Sequence, residues 1–323
     1  MSVSVAHHSL NNVSGMSNVA RSIVAAEVAL GLDSTFVDCM SQEDAERVKD
    51  YDCHVIHTHC QSSILRSGKP LIWVAHGTPE VMFYTAFDAG LIDGSYGHSD
   101  AWMLAQYWLQ HCDLTVTFWP RHQAIWKSLV DKRTRVECIP LGVDKSFWKP
   151  MPTQGKFAGS PSFFTAENAY KIKWPLDLFI AWPWVTKELN DARLHAIYVP
   201  KDQHRWWFPL VNRNGASFHS HISAMVFSPE QLRNAFCSTD YLLSLVRYGD
   251  FNRLSLEAAA SGAKIISYDG NPYADYWIPE GDQRKIAEEL VEIGKGIVGP
   301  RESSSPPDIS ETAAAMKAIY DSM

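Results

Sequence analysis

On either side of a stretch rich in proline and glycine, short β-branched runs alternate with amphipathic segments along a chain of 323 residues. The stretch runs from Lys145 to Pro161 and carries Pro150, Pro152, Gly155, Gly159 and Pro161, a composition that marks a linker. Strand and helix alternating in this way argue for parallel α/β units. A single core seldom grows past ~250–300 residues, so two α/β lobes, one on each side of the linker, are expected. Two such lobes imply a cleft between them, where ligands usually sit.

In the first half a helix is expected from Ser14-Gly15 to about Leu30, with Val19, Ile23, Ala26 and Leu30 on one face and Gly31-Leu32-Asp33 as its stop. Strands read at Thr35–Val37, His54–His57, Leu71–Ala75, Leu114–Phe118 and Val136–Ile139, with helices at Asp100–His111 and Arg121–Val130. In the second half Phe163–Thr165 reads as a strand, Pro175–Leu189 as a helix and His195–Val199 as a strand. Ser228-Pro229-Glu230-Gln231 is a helix start, with serine at the N-cap, proline at the first turn and glutamine placed to close a capping box. Tyr241–Val246 and Lys264–Tyr268 are strands around a helix from Leu254 to Ser261 that Gly262 ends. Asp282 caps a helix to about Ile293, and Glu311–Met323 forms the last one.

Hydrophobic residues make up 46 % and charged residues 20 % of the chain, and the formal charge is −7, which argues against a surface that binds nucleic acid throughout. Local basic faces remain compatible with that total. The cysteines Cys39, Cys53, Cys60, Cys112, Cys138 and Cys237 show no zinc-ligand spacing and read as free thiols in a reducing compartment. No signal peptide and no run of the ~20 apolar residues that a membrane helix needs is visible, so a cytoplasmic protein is expected. Some of the twelve tryptophans are expected to line a binding cleft.

Four segments carry the chemistry. Asn12-Val13-Ser14-Gly15-Met16-Ser17 leads into a helix whose free N–H groups suit an anion, with a glycine that allows close approach; taken alone, one glycine here is better explained by an ordinary strand-to-helix turn. Val74-Ala75-His76-Gly77-Thr78 ends a strand at the edge that faces ligand in an open parallel sheet, and a histidine there can donate a hydrogen bond or shuttle a proton. Cys138 to Pro150 closes the first lobe and reads as architectural. Tyr248-Gly249-Asp250-Phe251-Asn252-Arg253-Leu254 runs into another helix start, with Glu257 one turn further on; Glu257 is suited to ribose hydroxyls or is a plain helix-surface carboxylate, and Asp250 a helix N-terminal one.

Taken together these segments resemble the GT-B glycosyltransferases, in particular the retaining group called glycosyltransferase family 4. Ser14-Gly15-Met16-Ser17-Asn18-Val19-Ala20-Arg21 resembles its first glycine-rich loop, and Trp73-Val74-Ala75-His76-Gly77 its histidine-glycine strand end. Ile139-Pro140-Leu141-Gly142-Val143-Asp144, with Phe147 and Pro150, resembles its interlobe signature, and Glu257-Ala258-Ala259-Ala260-Ser261-Gly262 its carboxy-lobe helix. The likeness spans most of the chain in the right order. It implies an α/β fold of GT-B type: two Rossmann-like parallel-sheet domains facing a central cleft, with an acceptor-side domain over residues 1–150, a nucleotide-sugar domain over 151–305 and a last helix, 306–323, packing back toward the first.

The resemblance also implies roles. His76, with Asp250, would act at the reacting sugar. Gly15, Met16, Lys171, Lys173, Arg247, Phe251, Asn252, Arg253, Leu254 and Glu257 would bind a nucleotide-sugar donor, a UDP-hexose by family habit. Ser17, His57 and Thr78 would lie on the acceptor side. Two departures stand out. The family carries a pair of glutamates in its last motif, and the earlier position here is Gly249, beside Asp250. It also carries an arginine and a lysine at the leaving diphosphate; Glu167 stands at the arginine position and Lys173 at the lysine position, so Arg247 or Arg253 would supply the second cation.

The implied reaction is hexose transfer with retention by same-face attack, with no cofactor and no tightly bound metal. His54, His57, His59 and Cys60 form the one cluster that invites a metal, since His57 and His59 would point the same way on a strand, but the likeness accounts for that strand without one. The acceptor is a hydroxyl on a small metabolite, a glycan or a hydroxymethylated pyrimidine in DNA; the absence of a basic amphipathic helix weighs against a lipid or a stable membrane association. DNA is weighed because the chain is compact, like small phage-encoded members, and has two basic clusters: Arg121, His122, Lys127, Lys132, Arg133 and Arg135, and then Lys201, His204, Arg205, Trp206, Trp207 and Arg213. Basic and aromatic residues together suit backbone tracking and base stacking, though solvated or packed helix faces explain them as well. A non-catalytic sugar-nucleotide-binding protein is the alternative from another class.

Overall fold

The structure, a computed structural model, describes residues 3–11, 15–78, 100–130, 134–153, 155–166, 176–197, 199, 220–223, 225–246 and 253–323, with the backbone alone for 100–104 and 176. The chain divides into two compact units, one of residues 1–145 with 307–323 and one of residues 146–306.

In the first unit the elements follow as β1 (Ser4–Ser9), α1 (Gly15–Ala29), β2 (Asp33–Asp38), α2 (Gln42–Val48), β3 (Cys53–Ile56), α3 (Ser62–Leu65), β4 (Leu71–Ala75), α4 (Asp100–His111), β5 (Leu114–Thr117), α5 (Pro120–Leu129) and β6 (Arg135–Cys138). The six strands form one parallel sheet in the order β2-β1-β3-β4-β5-β6. Every residue of β3, β4 and β5 is buried, as expected of a parallel sheet covered on both faces. The winding reverses between β1 and β3, and in open sheets a ligand crevice forms at the carboxyl ends of such strands. The core gathers Ala6, Val37, Ile56, Trp73, Trp108 and Trp126, with the Trp73 and Trp126 rings edge to face at 5.1 Å.

Helix α1 buries Val19, Ile23 and Ala26, while Leu30, expected on the same face, lies past the helix end and is 43 % exposed. The chain turns there through Gly31 at φ 83°. The same buried stripe also carries Glu27, four residues after Ile23.

The last helix, Ile309–Tyr320, belongs to this unit. Asp308 and Glu311 close a capping box at its start. Gly142 N–H donates to Thr312 Oγ1 (2.8 Å), whose hydroxyl donates to the Pro140 carbonyl (2.9 Å). Val143 N–H donates to the Pro307 carbonyl, and the Val143 carbonyl accepts from Ile309 N–H. The segment Ile139–Asp144 is thus a docking strip for the C-terminal helix, and its glycine has a steric cause: a Cβ on Gly142 would collide with the Asp308 backbone carbonyl.

The second unit runs β7 (Ser162–Thr165), α6 (Leu176–Glu188), β8 (Arg193–Ala196), β9 (Ser220–Ile222), α7 (Pro229–Ser238), β10 (Tyr241–Ser244), α8 (Arg253–Ala260), β11 (Lys264–Tyr268), β12 (Tyr276–Ile278) and α9 (Gln283–Gly294). Its parallel sheet has the order β12-β11-β10-β7-β8-β9, so the winding reverses between β7 and β10. Strand β8 starts two residues before the expected His195, because Arg193 and Leu194 already pair with Ser162 and Phe163. The Ser228 capping box with Gln231 is present, with Pro229 in the first turn of α7, and Asp282 accepts from Arg284 N–H and Lys285 N–H to start α9. Phe163, Phe179, Trp182, Leu243, Ile266 and Leu290 form the core.

Among the described residues no helix is long and apolar enough to cross a membrane. All six cysteines are free; Cys39, Cys53, Cys60 and Cys112 are buried, and Cys138 and Cys237 half-buried.

Candidate functional site

The first unit brings its candidate residues to the carboxyl ends of β1, β3 and β4. His76 directly follows β4 and is half-buried. Trp126 holds the turn behind it by donating its indole N–H to the Gly77 carbonyl at 3.0 Å, and the Phe118 ring stands edge-on to the imidazole at 5.7 Å. Helix α1 begins at Gly15, where an added Cβ would meet nothing within 4 Å. Packing therefore leaves this position open to a larger residue, and a reason for glycine must come from what approaches the helix start. Met16 beside it is exposed, whereas Ser17 is buried and donates its hydroxyl to the Leu10 carbonyl at 2.7 Å. Thr78 is buried.

Behind His76 lies a row of hydrogen-bonded side chains. His76 Nε2 is 3.0 Å from His57 Nδ1. His57 Nε2 is 3.0 Å from His7 Nδ1. His7 Nε2 is 2.8 Å from Glu27 Oε2. Ser34 donates to the same carboxylate oxygen at 2.6 Å, and the Tyr320 hydroxyl donates to Glu27 Oε1 at 2.7 Å. His7, His57, Glu27 and Tyr320 are all buried. Burial by itself pushes the Glu27 carboxyl up, but the charge and hydrogen bond of His7 and the hydroxyls of Ser34 and Tyr320 bring it below its ordinary value. Burial pulls His57 well below the usual imidazole range, with His76, His7 and His8 adding to the effect, and pulls His76 down to about 3. The Tyr320 phenol is raised by burial and then by the Glu27 charge. Burial thus disfavours the charged form of both the His57 and the His76 imidazole.

His57, expected on the acceptor side, is buried with both nitrogens engaged by His7 and His76. His54, His57, His59 and Cys60, the group weighed as metal ligands, each have other surroundings. His54 Nδ1 bonds to His8 Nε2 at 3.1 Å, His57 is taken by its two histidine neighbours, and β3 ends at Ile56, so strand alternation never aligns His57 with His59. The His59 ring packs instead toward Trp108 at 6.1 Å, and burial raises the Cys60 thiol to about 12. Among the described residues no group of three or more potential ligands forms.

In the second unit α8 begins at Arg253, and Glu257 lies one turn in, buried. Arg253 Nε pairs with Glu257 Oε1 at 2.6 Å. Burial raises the Glu257 carboxyl, and the Arg253 charge and hydrogen bond offset only part of that. A carboxylate left in this condition gains from further hydroxyl donors. Leu254 is half-buried at the helix start. The Arg253 guanidinium thus braces the Glu257 carboxylate through Nε at the start of α8. Ser255 donates to Ser244 Oγ at 2.9 Å and accepts from Asn271 at 3.2 Å, tying α8 to the end of β10. Lys171, Lys173, Arg247, Asp250, Phe251 and Asn252, together with Glu167 and Gly249, lie outside the described residues. So do Lys132, Arg133 and the cluster from Lys201 to Arg213. Of the first basic cluster, His122 is buried and Arg135 lies 3.4 Å from Glu137.

His7, Glu27 and Tyr320 escape a reading built on motifs. The signal for Glu27 is present all the same: a carboxylate on the apolar stripe of α1 needs buried partners. His7 sits with His8 in a buried strand whose remaining residues are small or apolar, which marks the pair in the same way.

No protein-family model matches the chain, and no curated protein matches it by sequence. Solved structures match along nearly its whole length. Sucrose-phosphate synthase from Thermosynechococcus elongatus superposes with a TM-score of 0.69 at 12 % identity, over 99 % of this chain and 98 % of that one. HepE from Anabaena, solved in complex with UDP, gives 0.61 at 10 % identity over 99 % and 95 %. A glycosyltransferase from Rickettsia africae gives 0.59 at 11 % identity over 99 % and 94 %. With its two six-stranded parallel sheets and this likeness from end to end, the chain has the α/β fold of the GT-B class.

Proposed function

We propose that the protein is a glycosyltransferase that moves a hexose-type sugar from a nucleotide diphosphate sugar, a UDP-sugar in the first instance, to a hydroxyl acceptor with retention of configuration. The observation that carries this reading is His76: a neutral imidazole at the carboxyl end of β4, backed by a buried row of partners, in a fold shared with proteins solved bound to UDP. HepE has also been solved with UDP-glucose.

Departure of the nucleotide builds negative charge on a diphosphate while positive character grows at the sugar carbon. The N–H groups at the start of α1 and the charges of Lys171, Lys173 and Arg247 would stabilise the leaving group, and loss of one such donor costs about 2.7–4 kcal/mol in comparable sites. Glu257 would take the ribose hydroxyls, His76 a sugar hydroxyl, and the diphosphate itself the acceptor proton. No cofactor is required. A hydroxymethylated pyrimidine in DNA is one acceptor that fits the chemistry, and a glycan or small metabolite is the other.

The test is release of UDP from a panel of UDP-sugars, with water, sugars and hydroxymethylated DNA as acceptors and mass spectrometry of the products. His76→Ala should lower turnover about 100-fold and leave nucleotide affinity nearly unchanged; equal losses in both would make His76 structural. Nucleotide binding without turnover of any donor would instead favour a sugar-nucleotide-binding protein, and unmodified nucleosides across the panel would remove DNA as acceptor.

A further inference from the structure

Helix α8 is tied down on the side away from its one carboxylate. Ser255 and Glu257 are two residues apart, which sets their side chains about 200° apart around the helix. Ser255 is buried; its hydroxyl donates to Ser244 Oγ at the end of β10 (2.9 Å) and accepts from Asn271 Nδ2 (3.2 Å). Asn271, buried in the turn between β11 and β12, is held in its own right: its Oδ1 accepts from Tyr273 N–H at 3.1 Å, and its backbone carbonyl from the Trp277 indole at 2.9 Å. The Arg301 guanidinium lies 3.9 Å from the centre of the Trp277 ring and donates to the Ala274 carbonyl. The buried polar residues Ser244, Ser255 and Asn271 thus lock the first turn of α8 to the end of β10 and to the turn after β11, where apolar side chains would pack at less cost in desolvation. On the other side of the helix Glu257 is 7 % exposed, and Arg253, one turn back, is the one side chain that bonds its carboxylate among the described residues. Glu27, buried as well, has His7, Ser34 and Tyr320 within hydrogen-bond reach. A carboxylate has room for about four hydrogen bonds, and a buried one left short of them is destabilising. The unfilled capacity of Glu257 is a place for ligand hydroxyls.

We propose that Ser255 and Asn271, together with Arg253, are positioning residues for Glu257: the bracket behind α8 sets where its first turn lies, Arg253 holds the carboxylate from one side, and the remaining acceptor sites meet the vicinal hydroxyls of a ribose. The ribose rests on the nucleotide-sugar donor proposed above. What the bracket adds is selectivity. A nucleotide still binds through its base and phosphates when Glu257 is displaced, and loses only the advantage that its ribose hydroxyls gave it.

Calorimetric titration of the full chain with UDP, GDP and ADP, and with the 2′,3′-dideoxy form of whichever binds, gives that advantage as a ratio of Kd values. Wild-type protein should bind the ribonucleotide about tenfold or more tightly than its dideoxy form. Ser255→Ala and Arg253→Gln should each bring the ratio below about threefold, mainly by weakening the ribonucleotide, in proteins that melting curves show to be folded. A packing role alone would weaken both ligands alike and keep the ratio, and so would a direct hold of Arg253 on the diphosphate. A ratio kept in folded Ser255→Ala or in Arg253→Gln therefore overturns the role of that residue. Asn271→Ser, which shortens the reach to Ser255, should act as Ser255→Ala does; if neither of these two folds, the bracket serves folding and its positioning role falls. A wild-type ratio near one overturns the whole inference and leaves nucleotide binding in place, whereas no binding of any of the three nucleotides removes the donor site itself and the proposed function with it.

Discussion

Lowering the pH should unfold the first unit well before carboxylates become protonated. His8, His54 and His57 are buried and His76 is half-buried. Burial is the main cause that lowers all four: His54 to about 4, His76 to about 3, His8 and His57 well below the ordinary value. A histidine whose folded pKa is depressed binds fewer protons folded than unfolded, so its contribution falls as pH drops below the unfolded value of about 6.5. Each loses roughly 1.4 kcal/mol per pH unit in that window. For His54 and His76, with folded values of about 4 and 3, the loss by pH 5 is roughly 2 kcal/mol each, already a large share of a domain's stability of about 5–15 kcal/mol, and His8 and His57 act in the same direction. Glu27 works in the same direction only at lower pH, because its depressed folded value confines its loss to below the ordinary carboxylate range. Urea titrations from pH 8 to 5, followed by the fluorescence of buried Trp73, Trp108 and Trp126, measure the effect. The midpoint should hold between pH 8 and 7 and then fall steeply. His54→Gln, which removes one of the four groups, should flatten the fall by about a quarter. A midpoint unchanged down to pH 5.5 would mean that these rings already carry protons in the folded state, and the reasoning would fail.

Gly142→Ala puts a methyl group into the Asp308 carbonyl; overpacking of this kind costs about 1–3 kcal/mol, so the melting temperature of the first unit should fall by roughly 2–8 °C, and an unchanged value would show that the docking strip gives way freely. Gly15→Ala meets no atom and should leave stability within about 1 kcal/mol of wild type while cutting donor or acceptor affinity about tenfold; an unaffected affinity would remove the helix start from the site. Glu257→Gln keeps the shape and should raise donor KM with a smaller change in kcat, and an unchanged KM would reject a ribose contact.

Much of the α/β architecture was legible because parallel strands advertise themselves as apolar runs: Leu71–Ala75 and Lys264–Tyr268 appear at the expected bounds. Helix starts were legible where capping is written in side chains, as at Ser228 and Asp282. Strands β9 and β12, of three residues each, escaped because a run that short has no measurable period. Gly142 reads as a family signature in the sequence, and its cause, the backbone of Asp308 pressed against it, comes from a segment more than 160 residues away. His76 was legible from its place after a strand. Its partners were not, since nothing local links residues 7, 27, 57, 76 and 320.

The sheet supplies that link. Across β1 and β3 His7 pairs with Val55, and His57 lies two residues beyond Val55. Across β3 and β4 Ile56 pairs with Trp73; His57 follows Ile56 by one residue and His76 follows Trp73 by three, again an advance of two. Side chains alternate faces with a period of two, so the three rings share one face and climb diagonally toward the carboxyl edge. Diagonal neighbours are within reach of aromatic side chains, and the ring centroids lie 5.3 and 5.2 Å apart. His8 and His54 follow the same rule in the opposite sense: His8 pairs with Ile56, and His54 is two residues back. A slip of one residue in β3 would turn His57 to the other face and leave His7 and His76 without their common partner. The row of side chains therefore depends on strand register, and two helices supply Glu27 and Tyr320 to close its buried end.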